Sequence, residues 1–350
     1  MKSLTVQKDL SLKIVDDVPM PSYGDYQVLV KVLAGGVCAG TDMKIKHGNM
    51  KGIDKETYPT ILGHESVGEV VELGSKVRNF KKGDLALLPF IGGPLGGYAS
   101  HFGAFSEYAV STDWKAMVED GRGPGTEYFD DSLYTQVVLP KGFDPVESTM
   151  IVTFREVLAA ARSFKLAANQ SVVVFGAGPV GMSFIRFAKL TGLSTVISVD
   201  VADEKLEDAK LAGADYAFNS TKCDITKEIR AILPDGADNI IDAVGVNSLI
   251  NQAMELVVPN GQICVYGISP NLGMDLAWAK APYNWRLYFM QWPIKADEAA
   301  AHSQIINWMQ LGVLDPKDFI SHVFSIDEAL DAFDILENKS EPYKKIVITF

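Results

Sequence analysis

Between Ser171 and Asp200 the chain reads SVVVFGAGPVGMSFIRFAKLTGLSTVISVD, and this stretch constrains the fold more than any other. The run Ser-Val-Val-Val-Phe is apolar and β-branched, as in a strand buried on both faces of a parallel sheet. Gly176-Ala177-Gly178-Pro179-Val180-Gly181 follows it, a G-x-G-x-x-G. Gly176 permits a tight turn. Gly178 lets a pyrophosphate approach the backbone, and Gly181 lets the next helix pack against the strand. That helix is expected over Pro179–Leu190, its free N–H groups and dipole facing phosphates. Thr191-Gly192 ends it, and residues 194–199 return as a second strand that stops at Asp200. An acid about 20 residues beyond the glycines can accept hydrogen bonds from an adenosine ribose. A lone glycine motif is weak evidence. Strand, turn, helix, strand and acid in order point to a dinucleotide site. A carboxylate at Asp200 repels a 2′-phosphate, and Val201-Ala202 offers no arginine to bind one, so NAD is favoured over NADP.

A chain of 350 residues suggests two domains. Its net charge of −12 argues against nucleic acid or an anionic membrane surface as partner. No terminal apolar run has the length of a signal peptide or a membrane span. The three cysteines, Cys38, Cys223 and Cys264, make no disulfide framework and fit a reducing cytoplasm. Cys223 and Cys264 read as ordinary buried or half-buried thiols.

The N-terminal part reads as many short strands with glycine turns, hence a β-rich domain. Residues 26–33 are a strong strand, followed by a glycine-rich turn over residues 34–42 and a short helix ending near His47-Gly48. Ser66–Leu73 and residues 85–89 are further strands. Residues 147–164 read as a connecting helix. Beyond Asp200, a helix over residues 204–211 ends at Gly213. Strands over residues 239–245 and 262–268 should lay their C-terminal ends, Val244 among them, along the cofactor. A helix over residues 298–311, strands over 322–326 and 345–350, and a helix over 327–336 complete the chain.

Several segments together resemble the medium-chain, zinc-dependent alcohol and polyol dehydrogenases of the sorbitol and threonine dehydrogenase type. They are Gly36-Val37-Cys38 with Thr41-Asp42, Leu62-Gly63-His64-Glu65, Lys82-Gly83-Asp84, Gly103-Ala104-Phe105-Ser106-Glu107-Tyr108, the glycine motif, and the ending at residues 344–348. Their order matches the family over nearly the whole chain. The resemblance implies an α/β protein: a Rossmann-type doubly wound parallel sheet for coenzyme over residues 151–290, and a β-rich GroES-like catalytic domain over residues 1–150, completed by 291–350. It implies Cys38, His64 and Glu65 as ligands of one catalytic zinc, Thr41 as the hydroxyl that passes the substrate proton outward, and Lys205 over the adenosine ribose. A thiolate, an imidazole and a carboxylate suit zinc, and a catalytic site keeps one position open. Taken singly, Cys38 could be a small buried hydrophobe and His64 a core histidine.

The chain departs from the family in several places. Two residues, Ala39 and Gly40, separate Cys38 from Thr41-Asp42, where the family usually has one. Val152 stands where many relatives have a metal-binding side chain. Glu156 lies one turn further along the same helix face; it reads as a solvated or ion-paired carboxylate, with an approach to the metal or the nicotinamide as the alternative. No cysteine lies between Cys38 and Cys223, so no structural zinc is expected. Residues 111–132 form an acidic, turn-rich insertion, read as a surface loop with a lid or subunit contact as alternatives. Residues 282–293 are dense in aromatics and read as core or subunit interface.

The expectation is a cytoplasmic, NAD- and zinc-dependent dehydrogenase, a homodimer or homotetramer, oxidising a secondary alcohol, a polyol or sugar alcohol, to a ketone. Its rivals are a zinc-free quinone or enoyl reductase of the same superfamily and a non-catalytic dinucleotide-binding sensor.

Overall fold

A computed structural model describes residues 1–350. The chain folds into two compact units, Met1–Val152 with Asp315–Phe350, and Thr153–Leu314. The first part contributes β1 (Ser3–Val6), β2 (Leu12–Val15), β3 (Gln27–Val37), α1 (Asp42–Lys46), β4 (Thr60–Ile61), β5 (Ser66–Leu73), β6 (Leu85–Leu87), β7 (Ala99–Ser100), β8 (Tyr108–Thr112), α2 (Trp114–Glu119), β9 (Val137–Val138) and α3 (Pro145–Ser148). Helix α4 (Met150–Ser163) carries the chain into the second unit. There follow β10 (Ser171–Phe175), α5 (Pro179–Leu190), β11 (Thr195–Asp200), α6 (Asp203–Ala212), β12 (Tyr216–Asn219), α7 (Ile225–Ile232), β13 (Ala237–Asp242), α8 (Asn247–Ala253), β14 (Val257–Val265), β15 (Arg286–Phe289) and α9 (Lys295–Gln310). The chain then returns to the first unit as β16 (Ile320–Ser325), α10 (Ala329–Asn338) and β17 (Lys345–Thr349).

Strand β3 is the spine of the first unit. Val28, Val30 and Val32 are buried while Lys31 between them is exposed, the period-2 alternation of a half-buried strand. It pairs antiparallel with β5, β8 and β17, in a sheet ordered β16-β17-β3-β5-β6-β9. A second sheet is ordered β2-β1-β4-β7. Leu4, Leu62, Phe105, Phe333, Leu336, Ile346 and Ile348 share one core, so the C-terminal segment is packed into the N-terminal one.

The second unit is a sheet ordered β12-β11-β10-β13-β14-β15, every pairing in it parallel. Parallel neighbours need crossovers, and helices supply most of them. All five residues of β10 are buried, as its apolar run requires. Strand order reverses at β10, between β11 and β13, which is where open sheets of this kind bind ligands.

The structure differs from the sequence reading at several points. The turn expected over residues 34–42 is strand up to Val37, because Ala34–Val37 pair with β17 and the bare Gly35-Gly36 backbone admits Phe105 and the Glu65 carboxylate. The insertion at 111–132 opens on β8 and helix α2, capped by Asp113, whose side chain accepts from the Ala116 N–H. The connecting helix is broken at Thr149 into α3 and α4. The aromatic stretch at 282–293 is mostly surface, which goes against the core reading but not against the subunit-interface one. It holds the edge strand β15, and Tyr283 and Phe289 are exposed. Residues 291–314 group with the second unit, since α9 buries Ala301, Ile305 and Ile306 there. Glu298 on α9 is also buried, and its carboxylate takes Lys295 Nζ at 2.9 and 3.0 Å.

Candidate metal centre and coenzyme site

The candidate metal centre is assembled from two segments of the first unit. Cys38 follows the last residue of β3, and His64-Glu65 lie between β4 and β5. The Cys38 thiol, one His64 ring nitrogen and one Glu65 oxygen lie within 4.8 Å of one another. His64 and Glu65 are buried. His64 Nε2 is 3.9 Å from Glu65 Oε1, while Nδ1 is 3.3 Å from Asp42 Oδ1. Nε2 therefore faces the cluster, and Asp42 backs the other ring nitrogen, as outer-shell carboxylates do behind metal-bound histidines. The other Asp42 oxygen accepts from the Cys38 backbone N–H at 2.8 Å, so one buried carboxylate lies against both Cys38 and His64.

The electrostatics fit a cation. Burial works against a charged His64, yet the Asp42 carboxylate and the Cys38 thiol outweigh it and raise its pKa well above the ordinary imidazole value. Three acidic groups, Cys38, Glu65 and Asp42, share this pocket with one buried ammonium. Lys345 of β17 reaches Glu65 Oε2 at 2.6 Å. Burial opposes its charge, but Glu65 and Cys38 prevail and its pKa is raised. A thiolate, an imidazole and a carboxylate form a zinc donor set, and they fit that ion.

Thr41 is buried and precedes α1, but its side chain does not cap that helix. Lys44 Nζ donates to the Gly40 carbonyl at 2.9 Å and so pins the two-residue spacing after Cys38. Val152 is buried and apolar. Glu156 belongs to the second unit, where its carboxylate lies 3.5 Å from Lys295 Nζ, and it is not one of the clustered donors. This is the ion-paired reading of Glu156. Asp42 and Lys345 have roles that sequence reading missed. Asp42 sat in a quoted segment without a task, and nothing local marks Lys345, whose partner is 280 residues away.

In the second unit the glycine motif occupies the β10–α5 turn. Gly176 has φ +94°, and a side chain on Gly181 would strike the Gly176 carbonyl at 1.9 Å. A side chain on Gly178 would meet nothing within 4 Å, so that glycine leaves open space before the first turn of α5. Gly178 is the helix N-cap and offers no side chain to its N–H groups. Pro179 and Val180 are partly exposed at the same end. Open space in front of uncapped N–H groups fits a phosphate. Asp200 closes β11. Its Oδ2 accepts from the Ala177 N–H at 2.8 Å, and its Oδ1 from Val201 and Ala202 at 2.7 and 3.1 Å. The acid is thereby fixed beside the glycine turn. Lys205 is partly buried on α6, and Val244 is exposed just past β13. Cys223 is half-buried and Cys264 buried, and both are free thiols.

Comparison with known proteins agrees with this architecture. Residues 24–119 match the alcohol dehydrogenase GroES-like domain, and residues 179–284 match the zinc-binding dehydrogenase family. The chain is 33% identical to L-threonine 3-dehydrogenase of Pyrococcus horikoshii over 260 residues, 73% of this chain and 71% of that one. It is 27% identical to sorbitol dehydrogenase of Bacillus subtilis over 363 residues, 99% and 97% of the two chains. The crystal structure of 2R,3R-butanediol dehydrogenase from Bacillus subtilis superposes with a TM-score of 0.80 at 22% identity, covering 100% and 99% of the two chains. No helix is long and apolar enough to cross a membrane. The chain belongs to the medium-chain zinc-dependent alcohol and polyol dehydrogenase family.

Proposed function

We propose that this protein oxidises a secondary alcohol, a polyol or sugar alcohol, to the ketone, with zinc as catalytic metal and NAD as hydride acceptor. The observation that carries the reading is the convergence of Cys38, His64 and Glu65 on one point, with Asp42 behind two of them. The first unit is read as catalytic and the second as coenzyme-binding. Zinc held by Cys38, His64 and Glu65 would supply a Lewis acid that lowers the pKa of the substrate hydroxyl, and NAD held at the glycine turn would supply the hydride acceptor. The remaining work falls to side chains. Asp42 holds the Cys38 backbone and sets a carboxylate beside the His64 ring. Lys345 balances Glu65. Thr41, buried and not spent on a cap, accepts the hydroxyl proton and donates its own onward. One alcohol and one NAD⁺ give one ketone, one NADH and one proton.

NAD is favoured over NADP because the Asp200 carboxylate would face a 2′-phosphate. The polyol reading draws support from the sorbitol and butanediol dehydrogenases among its relatives and structural neighbours. We read the protein as a homodimer or homotetramer in which the open edge of β15, with exposed Phe289 and neighbouring Trp292, would be covered by a second copy. A reducing cytoplasm suits its three free cysteines. Elemental analysis of purified protein, combined with a panel of polyols and secondary alcohols assayed with NAD, tests the reading. One zinc per chain and absorbance from reduced cofactor are expected. Protein that is metal-free and not activated by added zinc would refute the metal assignment.

A further inference from the structure

The exit of β13 contains a buried carboxylate with no part in the chemistry above. Asp242 is the last residue of β13 and is 3% exposed. One oxygen, Oδ1, accepts from both the Val244 and Gly245 N–H groups, each at 2.9 Å. Its backbone carbonyl accepts from Tyr266 and Gly267, at 3.0 and 2.8 Å. The turn is thus held from its own strand and from the end of β14. There is no slack on the far side, since a side chain on Gly245 would strike the Ile268 backbone at 2.6 Å. The turn delivers Val244 to one place. A side chain on Gly176, first glycine of the motif, would meet Val244 Cγ2 at 2.7 Å. Val244 nevertheless remains 47% exposed, so its outer face is open to a ligand at the glycine turn.

Sheet order gives this position a meaning. On one side of β10 lies β11 with Asp200; on the other lie β13 and β14. A dinucleotide with its pyrophosphate at α5 and its adenosine toward Asp200 lays its other half across the ends of β13 and β14. We infer that Asp242 is a positioning residue for the nicotinamide half of the coenzyme, acting through the turn that holds Val244 beside Gly176. The inference rests on the reading of the second unit as a dinucleotide site. Asp242 acts by hydrogen-bond acceptance at one oxygen, not by charge. Burial pushes its carboxyl pKa up, and the Gly245 and Val244 N–H groups pull it back down. Either protonation state leaves an oxygen able to accept both bonds.

The test is binding of NADH and of ADP, each titrated against the whole protein by calorimetry. Asp242→Ala should weaken NADH by roughly tenfold, the scale of buried hydrogen bonds lost at a turn, and leave ADP unchanged. Asp242→Asn keeps one acceptor oxygen and should restore NADH affinity. Val244→Ala, at an exposed position that does not threaten folding, should weaken NADH selectively by a smaller factor. Equal loss of ADP and NADH, an Asn variant as weak as Ala, or a Val244→Ala protein that binds NADH like the wild type would each overturn the inference. Wild-type protein that binds neither ligand would remove the dinucleotide reading itself, which is a separate result.

Discussion

The metal centre and the coenzyme turn solve opposite problems with opposite materials. The first, read as a metal centre, would attract a cation with side chains: Cys38, His64, Glu65 and Asp42, balanced by Lys345. The second must attract an anion, and it uses almost no side chain. Gly178 offers space, α5 offers N–H groups, and Asp200 serves first as an acceptor for three backbone amides. Side-chain donors can be recruited from anywhere the fold brings together. Backbone donors must come from one continuous turn. The cation site is therefore dispersed along the chain and the anion site is local.

The sharpest way to break this contrast is to remove one donor. Cys38→Ser should abolish zinc content and activity together while NAD binding persists, because the coenzyme turn shares none of its donors. Simultaneous loss of NAD binding, measured by calorimetry, would show that the two sites are not independently built. Next in size is Thr41→Val. It should keep zinc and coenzyme but lower turnover by roughly 10²-fold, within the range for positioned proton transfer, whereas Thr41→Ser should be nearly neutral. Normal turnover by the valine variant would mean that the two-residue spacing after Cys38 has moved this hydroxyl out of the relay.

The coenzyme turn predicts a smaller effect. Asp200→Ser combined with Val201→Arg should move the ratio of kcat/KM for NAD over NADP by about tenfold or more toward NADP, since ~1.4 kcal/mol suffices for each factor of ten. A wild-type preference for NADP would sink the assignment. The smallest effect concerns a charge in the second unit that no backbone amide supports. Burial raises the Glu298 carboxyl to about 7, with Glu156 adding to the rise and Lys295 and Arg155 opposing it. Between the ordinary carboxylate value and about 7 the folded state holds more protons than the unfolded, so stability falls as pH rises through that window. Glu298→Gln should flatten the decline of Tm between pH 5 and 8 by about 2–4 °C. An unchanged slope would place the pH dependence elsewhere.

The same contrast explains what could be read in advance. Ser171–Phe175, the three glycines and Asp200 were legible because their physics is local: a buried run, a turn, a helix start and an acid at a fixed distance. Cys38, His64 and Glu65 drew attention through a resemblance of several short segments, and the structure brings the three donors together. Asp42 and Lys345 were not legible as partners, Asp42 because His64 comes beside it only in the folded chain, and Lys345 because it meets Glu65 only when β17 pairs with β3. Helix α2 was hidden by the turn residues behind it, although Asp113 ahead of it was a readable cap. Asp242 looked like the end of a strand, and only the pairing of Oδ1 with two amides marks it out.

The Glu65–Lys345 pair sets an order of events in biosynthesis. Ribosomes add residues from the N-terminus at about 5–20 per second. Cys38, His64 and Glu65 leave the ribosome early, but the ammonium that balances Glu65 comes 280 residues later. Until β17 has been made and paired with β3, the nascent first unit carries the Cys38 thiol and an uncompensated Glu65 carboxylate beside a missing strand. At that rate the Glu65 carboxylate waits tens of seconds for the ammonium that pairs with it. Docking of the last strand is the step that turns a loose group of donors into a finished centre.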